Sequence, residues 1–324
     1  MKWGILGTSF ISDVMAQAIN NDSNSQLHAV AGRNPTMLEE FKKKHGPSRS
    51  YLSMDELIAD SDVEVVYIAL PNHLHHEYVV KAAQAGKAIL CEKSLSVDME
   101  KSDIALNAVD KHNVFFAEGL MYLNHPIAAQ ILELLESGTI GDVRSIQGSY
   151  VAAISQFVNP DSKGTLYNLG CYPVSLMHLV LQHQFGDEVF ADTEISAIGR
   201  RGADGNICET SALFKFNGQL TAQIHTAEDY GLKHQFTILG SKGSISFVTN
   251  PWLPAEDNKL VIEVYETSTE EVVVPAQGDG FFYQVRNVRQ AIESGAKQLE
   301  RPSATPKDSW QIMKLLTDWE KAAS

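Results

Sequence analysis

The stretch from Trp3 to Asn20 limits most strongly what this chain can fold into. A short apolar run ends at Gly7, and an apolar pattern with a period of 3.6 residues follows through Ile19. This order predicts a strand, a tight turn and a helix. The first N–H groups of such a helix are unpaired and carry the positive end of the helix dipole, so they can bind a pyrophosphate.

The turn departs from the usual dinucleotide fingerprint, G-x-G-x-x-G. Gly7 holds the first position, whereas Ser9 and Ser12 occupy the positions of the second and third glycines. A plain strand–helix turn without a ligand is therefore the alternative to a cofactor site. If the site is real, the residues expected to contact the cofactor here are Gly7, Thr8, Ser9, Phe10 and Ile11.

Length and charge exclude several classes of protein. The 324 residues are enough for two domains, and 26 basic residues against 40 acidic ones give a net charge of −14. We therefore expect no nucleic-acid partner and no anionic membrane surface, because these are bound by cationic faces. We also expect no transmembrane helix, because no apolar run approaches ~18 residues.

Three scattered cysteines show neither zinc spacing nor a disulfide framework, and the first predicted strand begins at residue 2, which leaves no room for a signal peptide. The expected location is a reducing compartment, the cytoplasm.

The second predicted strand, residues 26–31, ends at Gly32 and Arg33. Dinucleotide-binding folds that use NAD place an acid near this point for the ribose hydroxyls, and this chain has none. An arginine can instead pair with a 2′-phosphate. The expected cofactor is NADP(H), with NAD(H) possible, and a solvated surface arginine is the alternative.

Further strands at 63–70, 88–91 and 114–117 alternate with helices, which predicts a doubly wound parallel sheet, a Rossmann domain, over residues 1–119. Ligands of such sheets bind outside the carboxyl ends of the strands. The residues expected on that rim are Gly7, Arg33, Pro71, Asn72, Glu92, Lys93 and Glu118. Leu70 and His75, in the segment around Pro71, are also expected to contact the cofactor.

From residue 120 to 324 the pattern changes. A helix at 126–137, a strand at 143–153 and a helix at 174–181 are followed by successive strands up to residue 265, and helices at 278–295 and 306–322 end the chain. Successive strands predict an α+β domain with an open, mainly antiparallel sheet. One face should be covered by a helix. The other face, if apolar, would be the surface of a homodimer or homotetramer.

Four segments carry a specific resemblance. The glycine turn, Leu70–His76, Cys91–Lys93 and Glu118–Pro126 follow one another as they do in the glucose–fructose oxidoreductase/inositol dehydrogenase/MocA (Gfo/Idh/MocA) family, which the chain resembles over nearly its whole length. The pattern is most similar to the branch with dimeric dihydrodiol dehydrogenases and sugar dehydrogenases or reductases. The resemblance implies an oxidoreductase with a nicotinamide cofactor, and a last helix that packs back on the first domain.

The resemblance also implies site residues. Lys93 matches the lysine beside the nicotinamide and substrate, and Tyr172 matches the tyrosine of D-x-G-x-Y, the proton donor or acceptor. The residues expected to bind substrate are Asn168, Met121, Tyr122 and His125. Three of these residues have a structural alternative. Lys93 could belong to a surface Glu–Lys pair, Tyr172 could be a core tyrosine with a bonded hydroxyl, and His125 could cap a helix.

The chain departs from the family at three positions. Ser94 replaces the proline of E-K-P, which leaves open whether the preceding peptide is cis, and Leu123 replaces an arginine. Asn168 replaces the aspartate of D-x-G-x-Y, so it can orient a hydroxyl but cannot carry a proton, and it places no charge beside Tyr172. The family uses the His73–His76 stretch for cofactor and packing contacts, so no metal is expected, and His178 is expected to be buried.

The expected reaction is hydride transfer between the nicotinamide and a carbonyl or carbinol carbon of a sugar, polyol or cyclic diol. Tyr172 would move the proton, and the Lys93 ammonium would stabilise negative charge on oxygen. Two alternatives remain: a redox-assisted lyase or glycosidase without net cofactor turnover, and a non-enzymatic regulator that senses dinucleotide.

Overall fold

Alternating strands and helices build the first of two units in the computed structural model, which describes residues 1–324. This unit comprises residues 1–121 and 281–310. Its strands are β1 Lys2–Leu6, β2 Gln26–Ala31, β3 Arg49–Tyr51, β4 Val65–Ile68, β5 Ala88–Cys91 and β6 Phe116–Glu118. Its helices up to residue 121 are α1 Phe10–Asn21, α2 Pro35–His45, α3 Met54–Ala59, α4 His75–Gln84 and α5 Met99–His112.

The strands of this unit form one parallel sheet in the order β3-β2-β1-β4-β5-β6. All four residues of β4 are buried, because helices cover both faces of a parallel sheet. The Rossmann prediction is confirmed. Strand β3 was not predicted: it has three residues, none of them fully buried, so it carries no apolar run that could mark it.

Residues 122–280 and 311–324 form the second unit. Its strands are β7 Val143–Ala152, β8 Thr193–Arg201, β9 Ile207–Phe216, β10 Leu220–Ala227, β11 Leu232–Gly240, β12 Gly243–Phe247, β13 Asp257–Val264 and β14 Ser268–Pro275. They form one sheet in the order β14-β13-β12-β11-β7-β10-β9-β8, in which only β7 and β10 run parallel. The mainly antiparallel sheet is thus confirmed. The predicted strands ended at residue 265 and missed β14, whose first four residues are exposed and polar.

Helices α6 Pro126–Glu136 and α7 Cys171–Phe185 belong to the second unit, and α7 packs on β7. The last helix, α9 Pro306–Ala323, supplies Trp319, which is fully buried and packs edge-on against Phe214 of the sheet. The opposite face of the sheet carries mostly polar side chains, among them Gln147, Gln223 and His225, with isolated exposed apolar residues such as Ile198.

Helix α8 Gly280–Glu293 precedes α9, and residues 281–310 belong to the first unit. Arg289 of α8 forms a buried ion pair with Asp22 at 2.7 Å, and the indole of Trp310 donates to Asp103 at 2.8 Å. Helix α9 therefore begins in the first unit and ends in the second. The boundary between residues 119 and 120, and the packing of the last helix on the first domain, stay predictions. None of the helices is long and apolar enough to cross a bilayer.

Candidate active site

The turn after β1 requires a glycine. Gly7 has φ = +112°, and a Cβ at this position would lie 2.8 Å from the carbonyl oxygen of Ala69. Its N–H donates a 2.8 Å hydrogen bond to the carbonyl of Ala31, which ties the turn to the end of β2. A side chain here would therefore displace the backbone at the ends of β1 and β4.

Two serines close the turn where the fingerprint has glycines. The backbone N–H of Ser9, the N-cap of α1, donates to Oγ of Ser12 at 3.2 Å, and Ser12 is fully buried. Helix α1 thus begins directly after the turn, and its first residue, Phe10, is 81% exposed. The N–H groups at the start of a helix beside a glycine turn can hold a pyrophosphate. Thr8 and Ile11 are half-buried in the same segment.

Arg33 lies at the carboxyl end of β2, exposed and without an ion pair. Its neighbour Asn34 caps α2, accepting hydrogen bonds from the N–H groups of Thr36 at 3.0 Å and Met37 at 3.3 Å. The backbone around Arg33 is therefore fixed while its guanidinium remains available. An available guanidinium at this strand end fits the phosphate of NADP(H).

The buried imidazole of His75 bridges two loops of the strand-end rim. Its Nε2 lies 2.7 Å from the carbonyl oxygen of Leu70 and its Nδ1 lies 2.8 Å from that of Ser94. Burial lowers the pKa of His75 to about 4. A neutral imidazole donates only one hydrogen bond, so one of these contacts is a hydrogen bond and the other is a close approach. His75 therefore belongs to the rim through backbone contacts. Pro71 and Asn72 lie in the same loop after β4, half-buried and buried.

Glu92 follows β5 and is held by its neighbours. The Tyr67 hydroxyl donates to Oε1 at 2.5 Å, and the Lys93 backbone N–H donates to Oε2 at 3.2 Å. Burial raises the pKa of Glu92 above its ordinary value. A Cβ at Gly119 would lie 2.9 Å from Oε1 of Glu92. The backbone after β6 therefore approaches Glu92 so closely that position 119 requires glycine.

Lys93 is half-buried, and its peptide bond to Ser94 is cis although the next residue is not proline. The following residue, Leu95, donates its N–H to Oε1 of the buried Glu118 at 2.8 Å. Burial raises the pKa of Glu118 to about 7. The backbone on either side of Lys93 is thus held by two carboxyl groups.

In the second unit, Tyr172 lies in the first turn of α7, directly after a π-helical turn at Leu166–Gly170. Its ring packs edge-on against Tyr150 at 5.2 Å and lies 5.8 Å from Tyr122 and 6.2 Å from Trp252. The hydroxyl of Tyr122 donates to the Tyr172 carbonyl at 3.0 Å. Turns of π-helix occur often at functional sites. The π-helical turn and the aromatic cluster were not predicted.

Asn168 lies within the π-helical turn and pairs with an acid that the sequence did not reveal. Its amide donates to Oε2 of Glu228 at 2.7 Å, and both residues are buried. The hydroxyls of Thr165 and Thr226 meet at 2.8 Å in the same contact. Residue 168 itself is uncharged, and the carboxyl group of Glu228 that lies against it was not predicted.

The contacts of two other residues, His125 and His178, hold the fold together. His125 is the N-cap of α6: its Nδ1 accepts from the N–H of Ile127 at 3.2 Å and its Nε2 lies 3.0 Å from the carbonyl of Ala255. Both ring nitrogens of His125 thus have backbone partners, as expected if this residue caps the helix. His178 is buried, as expected, with Nε2 2.7 Å from Gln311. Met121 and Leu123 are also buried.

The first unit contains one group of possible metal ligands, the side chains of His28, Asp60 and Asp62. Arg49 pairs with Asp60 at 2.7 Å and with Asp62 at 2.8 Å, so both carboxylates already face a cation. The cluster is an ion-pair network.

Known sequences that resemble this chain belong to one family of oxidoreductases. Residues 1–120 match the GFO_IDH_MocA profile, described as an oxidoreductase family with an NAD-binding Rossmann fold, and residues 128–246 match the GFO/IDH/MocA C-terminal domain. An uncharacterized oxidoreductase, ORF334 of Rhizobium meliloti, is 31% identical over 91% of this chain and 90% of its own length. A trans-1,2-dihydrobenzene-1,2-diol dehydrogenase of Xenopus laevis is 28% identical over 98% of this chain and 96% of its own.

Among solved structures, KijD10, a 3-ketoreductase from Actinomadura kijaniata in complex with TDP-benzene and NADP, superposes with a TM-score of 0.86 in its open conformation. The two chains are 25% identical, and the superposition covers 100% of this chain and 97% of that one. The chain is an oxidoreductase that belongs to the Gfo/Idh/MocA family.

Proposed function

We propose that this protein transfers a hydride between NADP(H) and a carbonyl or carbinol carbon of a sugar, polyol or cyclic diol. The observation that carries the proposal is the position of Lys93: half-buried at the end of β5, on the strand-end rim, with its flanking backbone fixed by Glu92 and Glu118. A lysine whose backbone is fixed in this way has a defined starting point from which its side chain can reach a bound substrate.

In this proposal NADPH, when bound, supplies the hydride for reduction and NADP⁺ accepts it for oxidation. Tyr172 gives its phenolic proton to the carbonyl oxygen during reduction and takes the hydroxyl proton during oxidation. The Lys93 ammonium stabilises negative charge on that oxygen. The tyrosine ring is held by its aromatic neighbours, which support a fixed position for the phenol.

The cofactor proposal rests on the first unit. The start of α1 would hold the pyrophosphate through backbone N–H groups near Ser9, and Arg33 would pair with the 2′-phosphate. The rim residues Leu70, Pro71 and Asn72 would contact the nicotinamide half, and His75 would hold their loop in place through its contacts with the carbonyls of Leu70 and Ser94. NAD(H) would bind more weakly because nothing at the end of β2 replaces the lost phosphate contact.

The substrate class rests on the relatives. Their names describe a dihydrobenzenediol dehydrogenase and a ketoreductase, and other similar folds are an aldose-aldose oxidoreductase from Caulobacter crescentus and a levoglucosan dehydrogenase, whose structure contains L-sorbose. Each of these reactions or ligands involves hydroxyl or carbonyl carbons. We propose a polyhydroxylated small molecule, bound by Asn168 and the aromatic cluster around Tyr172.

The test is turnover. The protein should be incubated with NADP⁺ or NAD⁺ and a panel of trans-cyclohexane-1,2-diol, myo-inositol and common aldoses, and formation of reduced nicotinamide should be followed. Net reduction of NADP⁺ in proportion to substrate consumed is expected. Substrate cleavage without net change in the cofactor would favour the redox-assisted lyase instead.

We also propose a homodimer or homotetramer through the open face of the eight-stranded sheet, and a cytoplasmic location because the three cysteines are buried and form no disulfide. Ile198 and Leu213 are exposed on this face. Ile198→Lys should lower the solution mass measured by light scattering, whereas Ile104→Lys on α5, an equally simple change of an exposed residue, should not. An unchanged mass for the Ile198 variant would refute this interface.

A further inference from the structure

Glu118 is a buried acid beside the loop that carries Lys93. It ends β6, where it pairs with Cys91 of β5, and it is 3% exposed. Its Oε1 accepts the 2.8 Å hydrogen bond from the backbone N–H of Leu95. The carboxyl group is thus fixed against the residues that follow Lys93.

The carboxyl group of Glu118 also has a hydroxyl neighbour. Burial raises the pKa of Glu118 to about 7, and the hydroxyl of Ser309, fully buried on α9, acts in the opposite direction. Neither Oε2 of Glu118 nor this hydroxyl has another protein partner. A hydroxyl can donate to a carboxylate and can accept from a carboxylic acid. Both forms of the carboxyl group can therefore keep the same neighbours, and a change of protonation alters the charge and not the backbone.

The charged groups that face this carboxyl group lie on the strand-end rim. Burial is the main cause of the raised pKa of Glu118, and among the charged neighbours Glu92 raises that pKa further whereas Lys93 lowers it. The thiol of Cys91 adds no charge at neutral pH, because burial raises its pKa well above the ordinary value. An ionised Glu118 and the Lys93 ammonium thus attract each other.

Holding the loop does not require an acid at position 118. The amide oxygen of a glutamine would accept from Leu95 equally well, without a group that ionises. What the carboxyl group adds is a negative charge that appears near neutral pH beside Lys93. In the proposed reaction the same ammonium stabilises negative charge on the substrate oxygen, so an ionised carboxylate competes with the substrate for it.

We propose that Glu118 is a positioning residue that acts through Lys93. With Glu118 protonated, the ammonium acts on the substrate oxygen without competition. With Glu118 ionised, part of the electrostatic effect of the ammonium is directed to the carboxylate, and hydride transfer is slower. The inference deepens the proposed function and rests on it.

The experiment follows oxidation of trans-cyclohexane-1,2-diol with NADP⁺ from about pH 5.5 to about pH 8.5, or of the panel compound with the highest turnover if this diol is not oxidised. Glu118→Gln keeps a neutral acceptor for Leu95. Its kcat relative to wild type should therefore rise about tenfold over this range, the order expected for one charge in a site of low dielectric. Dividing by wild type removes the titrations that both enzymes share. KM for the diol should show no such change, because the effect is on charge that develops in the transition state.

Double variants test the route through Lys93. In a Lys93→Met background, kcat with and without Glu118→Gln should keep a constant ratio over the pH range, because the ammonium is absent. Glu100→Gln, which changes an exposed acid on α5, is the matched control and should also keep a constant ratio to wild type.

Ser309→Ala tests the same role without changing the acid. The hydroxyl of Ser309 favours the ionised carboxylate, so its removal should keep Glu118 protonated to higher pH. Ser309→Ala should therefore have a higher kcat than wild type between about pH 7 and about pH 8 and the same kcat at about pH 5.5. This comparison remains decisive if Glu118→Gln does not fold.

A kcat ratio for Glu118→Gln that does not depend on pH would overturn the role of Glu118 while leaving the proposed function intact. A pH-dependent ratio that persists in the Lys93→Met background, or a Ser309→Ala profile identical to that of wild type, would do the same. Wild type that oxidises neither this diol nor any other compound of the panel would overturn both proposals.

Discussion

Oε1 of Glu118 accepts a 2.8 Å hydrogen bond from the backbone N–H of Leu95, two residues beyond Lys93. The carboxyl group is 3% exposed, and burial raises its pKa to about 7. A single buried acid thus both fixes the backbone beside the proposed catalytic lysine and changes charge near neutral pH. The stability of the first unit should therefore depend on pH through this residue.

The first prediction concerns that dependence. The pKa of Glu118 rises from its ordinary value of 4.5 to about 7 on folding, so the native state holds a proton that the unfolded state releases. The resulting stability is fully present below about pH 4.5 and is lost as the pH rises through about 7. Between about pH 5 and about pH 8 in urea titrations, the free energy of unfolding of wild type should fall by about 2.5 kcal/mol more than that of Glu118→Gln. Glu100→Gln, on the exposed side of α5, should behave like wild type; if Glu118→Gln does so too, the buried acid is not the cause.

Much of the first unit could be predicted because its strands are buried apolar runs and its turn needs Gly7. The strand β4 and the loop after it follow directly from such a run. Strand β3 could not be predicted, because three half-exposed residues leave no periodicity, and β14 was missed because exposed acids interrupt its pattern. A sheet neighbour, not the local sequence, makes these segments strands.

From the residues alone, candidate site residues could be placed only where they follow strand ends, whereas Tyr172 and Asn168 came from the family resemblance. Lys93 and Arg33 could be placed on the rim because parallel strands end at one edge of a sheet. The pair of Asn168 and Glu228 joins residues 60 positions apart, and a π-helical turn has no propensity signal of its own. The capping role of His125 was one of two alternatives that only the contacts of its ring nitrogens could distinguish.

Arg33 carries the prediction on cofactor choice. A charge-assisted hydrogen bond contributes ~1.5–3 kcal/mol, which is roughly 10–150-fold in affinity. Arg33→Ala should weaken NADPH binding by that factor and leave NADH binding unchanged in fluorescence titrations. Arg49→Ala, which removes an arginine that is already ion-paired at 2.7 Å, is the control for charge alone. Equal weakening of both cofactors by Arg33→Ala would show that this arginine does not recognise the 2′-phosphate.

Replacement of Lys93 tests its electrostatic role. Lys93→Met keeps most of the length of the side chain and removes the charge, so kcat should fall on the order of 10²–10³-fold, the cost of one well-placed donor. NADPH affinity and the melting temperature should stay near wild type, because the hydrogen bonds to Glu92 and Glu118 come from backbone groups. Lys93→Arg should recover part of the rate. A methionine variant with half the wild-type rate would remove Lys93 from the mechanism.

The last prediction separates the Tyr172 hydroxyl from its ring. The ring packs against Tyr150 at 5.2 Å and near Tyr122 at 5.8 Å, and a phenylalanine would keep both contacts. Tyr172→Phe should therefore keep the melting temperature and NADPH affinity but lose most turnover, since the proton then has no donor. Tyr150→Phe deletes a hydroxyl from the same cluster, where burial raises the pKa of that tyrosine above its ordinary value and disfavours its phenolate. It should keep most of the activity. If the two variants lose activity equally, the cluster matters only for packing, and the proton must come from another group.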